Sequence, residues 1–159
     1  MTPVTPRSKL PRLAAACLTL PHELAHALPA AAAGLSPELT LLPEYDGDVT
    51  PLGQFDAAIE AGTPAWLVRL VAVAPLPTYV GLAVLLRFVV APSGVAAPVA
   101  VAACAYSASL STGDLAIATR PEQAVSAGRF AASGSRRLQV TADLLTVGTT
   151  VLVGVVLLG

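Results

Sequence analysis

The sequence is poor in charged and aromatic residues. Charged side chains make up 12% of the chain, against roughly 25% in an average soluble domain, and aromatic side chains make up only 4%. Apolar residues, by contrast, make up 55% of the 159 residues. A soluble protein of this size could not cover so much apolar surface with so few charges, so the composition predicts an integral membrane protein.

Basic residues and cysteines are also too few for a nucleic-acid-binding protein or a disulfide-stabilised one. The net charge is −1, and Lys9 is the single lysine. This balance argues against nucleic acid as a partner. The two cysteines, Cys17 and Cys104, both fall in apolar segments. We therefore expect two small buried side chains and not a disulfide.

The apolar residues are concentrated in four segments. A helix needs about 20 residues to cross the hydrocarbon of a bilayer, and each segment reaches that length. We therefore expect an all-α, polytopic protein with about four transmembrane helices, forming one membrane-embedded domain over residues 1–159 and located in the cell membrane. The expected spans are residues 10–35, 65–91, 95–119 and 138–158.

Residues 36–64 are the most polar part of the chain and contain acidic but no basic side chains. Their composition favours an acidic loop outside the membrane. The alternative is a short β-hairpin close to the active site, because Asp46-Gly47 lies between apolar runs at 39–42 and 49–52 and is a common hairpin turn. An edge strand within 36–52 would then hold a substrate peptide in an extended conformation.

The only two histidines of the chain, His22 and His26, lie in the first apolar segment with Glu23 between them. Residues i and i+4 of a helix point the same way, so both imidazoles can bind one metal ion. The HExxH pattern is typical of zinc hydrolases, in which the glutamate is the general base toward a zinc-activated water. Ionisable residues inside an apolar span are costly, which favours a functional role for this cluster.

A catalytic zinc usually takes three protein ligands, and no third histidine exists. The best candidate for the third ligand is Asp114, which follows a run of small and hydroxylated residues that permit close helix contact. Asp143 is the second candidate, although a carboxylate near the start of a span is often an ordinary interface residue. Cys17 and Cys104 are weaker candidates.

The pairing of HExxH in the first span with Gly113-Asp114 in a later one resembles the intramembrane zinc metalloproteases of the site-2 protease type. The chain lacks asparagine and reads Gly113-Asp114-Leu115, whereas the main branch has Asn-Pro and Leu-Asp-Gly elements. It therefore resembles more closely the short, four-span zincin-type peptidases related to them. The resemblance covers two motifs and the order of the spans. It implies that His22, His26 and Asp114 bind Zn²⁺ and that Glu23 is the general base.

These observations together predict a membrane-embedded zinc metalloendopeptidase. Its partners would be the lipid bilayer and a membrane-protein or peptide substrate, cleaved in or near the membrane. Two other functions are compatible with the same residues. The cluster at His22 and His26 could be a structural or regulatory metal site without hydrolysis, or it could relay protons in a small transport module.

Overall fold

The computed structural model describes residues 9–41, 53–132 and 134–159. Within these ranges the chain is mostly helical, with one small antiparallel sheet. In chain order the elements are α1 (Lys9–Ala32), β1 (Ser36–Leu41), β2 (Gly53–Ala58), α2 (Ala65–Val73), α3 (Pro75–Val89), α4 (Ala96–Ala108), α5 (Thr112–Thr119), α6 (Pro121–Ala127) and α7 (Arg136–Leu158).

The expectation of about four transmembrane helices is wrong. Within the described ranges, α7 is the single helix that is both long and apolar enough to cross a bilayer. Helices α2 and α3 would provide a second crossing only if the 47° bend between them lies within one span. By length and composition, the described part of the chain therefore offers one or two spans.

Two helix breaks explain why the apolar segments 65–91 and 95–119 are not continuous spans. Pro75 has no amide hydrogen and separates α2 from α3. The second segment is divided at residues 109–111, where α4 ends and Ser111 begins α5. At 13 residues α4 is about 20 Å long, which is shorter than the hydrocarbon core of about 30 Å.

Helices α3, α4 and α7 pack against one another at the end of the molecule that lacks the sheet. Their common core is built from small and branched residues, with Ala83, Cys104 and Val153 almost fully buried. Cys104 is therefore a buried side chain, as expected, whereas Cys17 is exposed, and both thiols are free. The outward face of α7 is apolar and exposed.

Residues 36–64 contain a β-ribbon and not only an acidic loop. Strands β1 and β2 pair in antiparallel register from Ser36↔Ala58 to Leu41↔Gly53. The turn predicted at Asp46-Gly47 lies outside the described residues. The predicted run 49–52 also lies outside the described residues, and the described part of the second strand is Gly53–Ala58. The antiparallel pair agrees with the alternative expectation of a short β-hairpin in this region.

The chain after α6 continues the sheet for a few residues on the far side of β2. Ile59 donates its amide hydrogen to the carbonyl oxygen of Gly128, and Phe130 donates to the carbonyl of Ala57, both at 3.1 Å. The Asp56 carboxylate strengthens this contact by accepting hydrogen bonds from the amide of Phe130 (3.0 Å) and the guanidinium of Arg129 (2.7 Å). The connection between α6 and α7 is thereby held against β2.

A larger hydrophobic core lies where α1, β2, α2 and α5 meet. Its members come from distant parts of the sequence, and burying such side chains contributes about 1.5–3 kcal/mol each relative to leaving them exposed. This core supports the base of the candidate site. Its larger side chains are Phe55, Ile59, Val68, Val71, Ile117 and Phe130.

Candidate metal centre

Helix α1 presents its two histidines to the same side, as their i, i+4 spacing predicts. The ring centroids of His22 and His26 are 4.8 Å apart, and their Nε2 atoms are separated by 3.2 Å. His26 is 1% exposed. Phe55 stacks on its ring with a centroid separation of 5.5 Å and an interplanar angle of 21°. These contacts restrict His26 to one orientation.

Asp114 reaches the histidines from the first turn of α5. Its Oδ1 atom lies 3.3 Å from Nε2 of His26, and its Oδ2 atom lies 3.5 Å from Nε2 of His22. One potential ligand atom from each of the three residues lies within 4.8 Å of the others. The structure therefore brings together the three residues that the sequence analysis singled out as metal ligands.

Asp114 is oriented by a capping box. The amide of Ser111 donates to Asp114 Oδ2 at 2.7 Å, and the amide of Asp114 donates to the Ser111 hydroxyl at 3.1 Å. Reciprocal bonds of this kind satisfy two amide groups at the start of a helix. They also hold the carboxylate in place, and it is only 8% exposed.

The outer nitrogen of each histidine is held by a backbone carbonyl. Nδ1 of His22 donates to the carbonyl oxygen of Ser107 at 3.1 Å, and Nδ1 of His26 donates to that of Val71 at 2.7 Å. A carbonyl oxygen can only accept, so each Nδ1 carries a hydrogen. In the neutral imidazoles both Nε2 atoms are then bare acceptors facing each other and the Asp114 carboxylate.

This arrangement of acceptors makes a strongly electronegative site. Burial alone would raise the pKa of Asp114, but protonated His22 and His26, which carry a hydrogen on Nε2 as well as on Nδ1, donate to the carboxylate and hold its pKa well below the usual range. Burial would lower the pKa of His22, but the Asp114 carboxylate reverses the effect and raises it. Both directions show that the site stabilises positive charge at the Nε2 atoms.

Glu23 lies beside these three residues in the same cleft. Burial raises the pKa of its carboxyl group, and the nearby His22 and His26 partly oppose that rise. A carboxylate with a raised pKa accepts a proton more readily, as a general base must. Strand β2 approaches this residue closely, because a Cβ atom on Gly53 would lie 3.3 Å from Glu23 Cγ and 2.7 Å from Thr19 Oγ1.

The site opens into a cleft of about 680 Å³, which is large enough for a peptide segment. The start of β2, the start of α5 and the connection leading into α7 all contribute to its lining. The lining includes both polar groups and apolar side chains, among them Gln54, Phe55, Tyr106, Ser109, Leu110, Thr112, Ile117 and Phe130.

The alternative ligands lie elsewhere. Asp143 is exposed on α7, where it accepts a hydrogen bond from Gln139 Nε2 at 2.9 Å. Cys104 is buried in the core between α3, α4 and α7, and Cys17 is exposed on α1. None of the three belongs to the group of potential ligand atoms around His22 and His26.

Sequence reasoning missed the residues that orient the ligands. The Ser111-x-x-Asp114 pattern is a recognisable capping box and could have revealed the start of α5. Pro75 could have indicated a free carbonyl four residues earlier. The stacking of Phe55 on His26 has no local signal, because the two residues are far apart in the chain.

Comparison of the chain with protein-family models, with curated proteins and with solved structures finds no match in any of the three. The assignment of function therefore depends on the geometry of His22, Glu23, His26 and Asp114 and on the resemblance of their two motifs to zincin-type peptidases.

Proposed function

We propose that this protein is a membrane-associated zinc metallopeptidase. The observation that carries the proposal is the convergence of two bare Nε2 atoms and one carboxylate in a buried site, with both Nδ1 atoms turned away toward carbonyls. His22, His26 and Asp114 would hold the zinc ion. Three protein ligands with a fourth position left open are typical of catalytic zinc.

The spacing of the donor atoms supports zinc. With Zn–N and Zn–O bonds of about 2.0–2.2 Å in a tetrahedron, neighbouring ligand atoms lie about 3.3–3.6 Å apart. The Nε2 atoms are 3.2 Å apart, and each lies 3.3 or 3.5 Å from a different oxygen of Asp114. With one ligand atom taken from each residue, all three lie within 4.8 Å of one another, so binding through one carboxylate oxygen needs only a small turn of the Asp114 side chain. The carbonyls behind both imidazoles supply the outer hydrogen bonds that zinc-binding histidines generally make.

The division of roles follows from the position of each side chain. Zinc at such a site supplies a Lewis acid that polarises a carbonyl and lowers the pKa of water. Glu23 accepts the proton of the attacking water and passes it to the leaving amine. Its partial burial keeps its pKa above the usual range, which suits both steps.

The start of β2 is suited to hold the substrate. The backbone groups of Ala57 and Ile59 form hydrogen bonds with segment 128–130. Every second residue of a strand directs its backbone groups to the same side, so those of Gly53 and Phe55 also point to this side, where the cleft lies. The backbone amide of Phe55 bonds to the Glu23 carboxylate. No described backbone group pairs with Gly53 or Phe55 on this side, so the other backbone groups of the edge are open to a peptide. A peptide in the cleft would extend the sheet at this edge, so 53–55 is the substrate-binding strand of this proposal. Of the range 36–52 that the sequence suggested for this role, residues 42–52 lie outside the described part of the chain.

The lipid bilayer is proposed as the surroundings of α7. Only 22% of its most apolar window is buried within the molecule, and Leu144, Val147, Val151 and Val155 are all more than 60% exposed. Such a continuous apolar face is costly in water. The substrate is accordingly a peptide bond within a membrane protein or next to the membrane.

The test is to measure zinc content and peptide cleavage with purified protein in detergent. Glu23→Gln should keep one zinc per chain and lose at least a hundredfold in cleavage rate, because general base catalysis contributes about 10²–10⁴-fold. Glu38→Gln is the matched control, since Glu38 is an exposed glutamate on β1, and it should change neither quantity.

Three results would contradict the proposal. A wild-type protein that takes up no zinc would remove the metal site. Equal cleavage by wild type and Glu23→Gln would remove the assigned role of Glu23. A zinc-loaded wild type that cleaves no unstructured peptide would instead favour a structural or regulatory metal.

A further inference from the structure

The partner of His26 is a carbonyl group that an uninterrupted helix would not leave free. The Val71 carbonyl would accept the amide hydrogen of residue 75 if α2 continued with i→i−4 bonds. Residue 75 is proline, which has no amide hydrogen. Val71 instead receives a hydrogen bond of 3.3 Å from the amide of Ala74 and a shorter one of 2.7 Å from Nδ1 of His26.

The hydrogen bond between His26 and the Val71 carbonyl determines which nitrogen of His26 carries the hydrogen. His26 and Val71 are both essentially inaccessible to solvent, with 1% and 0% of their surfaces exposed. A buried imidazole must place its hydrogen on an available acceptor, and water cannot readily replace one here. If the Val71 carbonyl were occupied, the hydrogen would move to Nε2, where the Asp114 carboxylate lies 3.3 Å away.

We propose that Pro75 is a positioning residue for the metal centre. Because Pro75 lacks the amide hydrogen that would otherwise bond to the Val71 carbonyl, that carbonyl carries only the long bond from the Ala74 amide and can accept from His26. The hydrogen of His26 thus stays on Nδ1, and Nε2 is left bare for the metal. The inference rests on the proposed zinc site for its consequence in metal affinity. The effect on the His26 tautomer concerns the protein itself and does not require the metal.

The second histidine is held in the same way by a different break. The Ser107 carbonyl would accept the amide hydrogen of Ser111 in a continuing helix. Helix α4 ends at Ala108, and the Ser111 amide donates to Asp114 Oδ2 instead. The Ser107 carbonyl is thereby available to Nδ1 of His22 at 3.1 Å. Each histidine is thus oriented by a carbonyl at the end of an interrupted helix.

The experiment compares Pro75→Ala with Pro77→Ala. Both variants add an amide hydrogen at the start of α3. In a continuous helix the amide of residue 77 would bond to the Val73 carbonyl, and that carbonyl accepts no hydrogen bond from either histidine. Zinc affinity is measured by competition with a chelator. The histidine tautomers of the metal-free protein are read from ¹⁵N chemical shifts, which is practical because His22 and His26 are the only histidines.

Pro75→Ala should weaken zinc binding by about 10–100-fold, the usual effect of losing an outer hydrogen bond to a ligand. It should also shift His26 from the Nδ1–H to the Nε2–H form. Pro77→Ala should leave both quantities unchanged. If Pro75→Ala does not fold, Pro75→Gly supplies the same amide without favouring a continuous helix, and the same shift is expected.

The inference is overturned if the amide-restored variant keeps the Nδ1–H form of His26 and binds zinc within twofold of wild type. It is also overturned if Pro77→Ala produces the same changes, because the effect would then be general to α3. A wild type that binds no zinc would contradict the proposed function. A shift of the His26 tautomer in Pro75→Ala would still support the positioning role in that case.

Discussion

Gly53→Ala tests whether the close approach of β2 to α1 is needed for cleavage. An added Cβ would lie 2.7 Å from Thr19 Oγ1, whereas ordinary contacts begin at 3.4 Å. Thr19 cannot easily turn away, because its hydroxyl donates to the Ala16 carbonyl at 2.8 Å. The strand must therefore retreat by about 0.7 Å, which moves the proposed substrate edge away from Glu23.

The expected loss follows from this displacement. A shift approaching 1 Å at a reacting group can cost about 10²-fold in rate, so we expect cleavage by Gly53→Ala to fall roughly ten- to a hundredfold. Overpacking of this kind also destabilises proteins by about 1–3 kcal/mol. Zinc content should not change, since Gly53 does not contact the three proposed ligands.

The assay is cleavage of an unstructured peptide, together with zinc content and thermal unfolding. Gly62→Ala is the matched control, because no heavy atom lies within 4 Å of the Cβ position at Gly62. The double variant Thr19→Ala/Gly53→Ala removes the nearest obstructing atom and should recover part of the lost rate. Full activity of Gly53→Ala, or no recovery in the double variant, would refute the steric reasoning.

Two further predictions concern the third ligand. Asp114→Ala should abolish stable zinc binding, whereas Asp143→Ala should bind zinc as wild type does, because Asp143 is exposed and bonded to Gln139. Metal analysis after dialysis distinguishes the two variants, and full zinc occupancy in Asp114→Ala would exclude Asp114 as a ligand. Ser111→Ala should lower the free energy of unfolding by about 1 kcal/mol, because it removes the hydroxyl that accepts from the Asp114 amide. Zinc affinity should stay within a few fold of wild type, because the backbone amide of Ser111 still donates to Asp114 Oδ2; a loss of zinc as complete as that in Asp114→Ala would show that the hydroxyl and not the amide holds the ligand.

The arrangement of the candidate site was more predictable than the number of membrane spans. The placement of His22 and His26 follows from helical periodicity alone. The inclusion of Asp114 follows from the cost of leaving a carboxylate unpaired in an apolar segment. Both arguments concern the chemistry of single side chains, and they do not depend on whether the surrounding helices cross a membrane.

The number of spans was wrong for two reasons. Helix α1 is uninterrupted over Lys9–Ala32, but its polar residues leave it less apolar than a span requires. In the segments 65–91 and 95–119, a count of apolar residues does not register interruptions of the backbone. The first of these segments stays apolar on both sides of Pro75, and the second contains the polar stretch 107–114, which was interpreted as small residues within a helix; the helices stop at both places. The carbonyls of Val71 and Ser107 could not be assigned as partners from the sequence. Every residue has such a carbonyl, and only the fold decides which histidine it meets.

The double role of Asp114 limits how this site can change during evolution. Histidine is an equally good zinc ligand, so replacing Asp114 by histidine would seem a neutral exchange of ligands. The carboxylate, however, also accepts the hydrogen bond from the Ser111 amide that starts α5. A single exchange at this position would therefore keep a metal ligand but lose one of the two reciprocal bonds that cap α5, so a lineage reaching a three-histidine site would need a compensating change at the helix start.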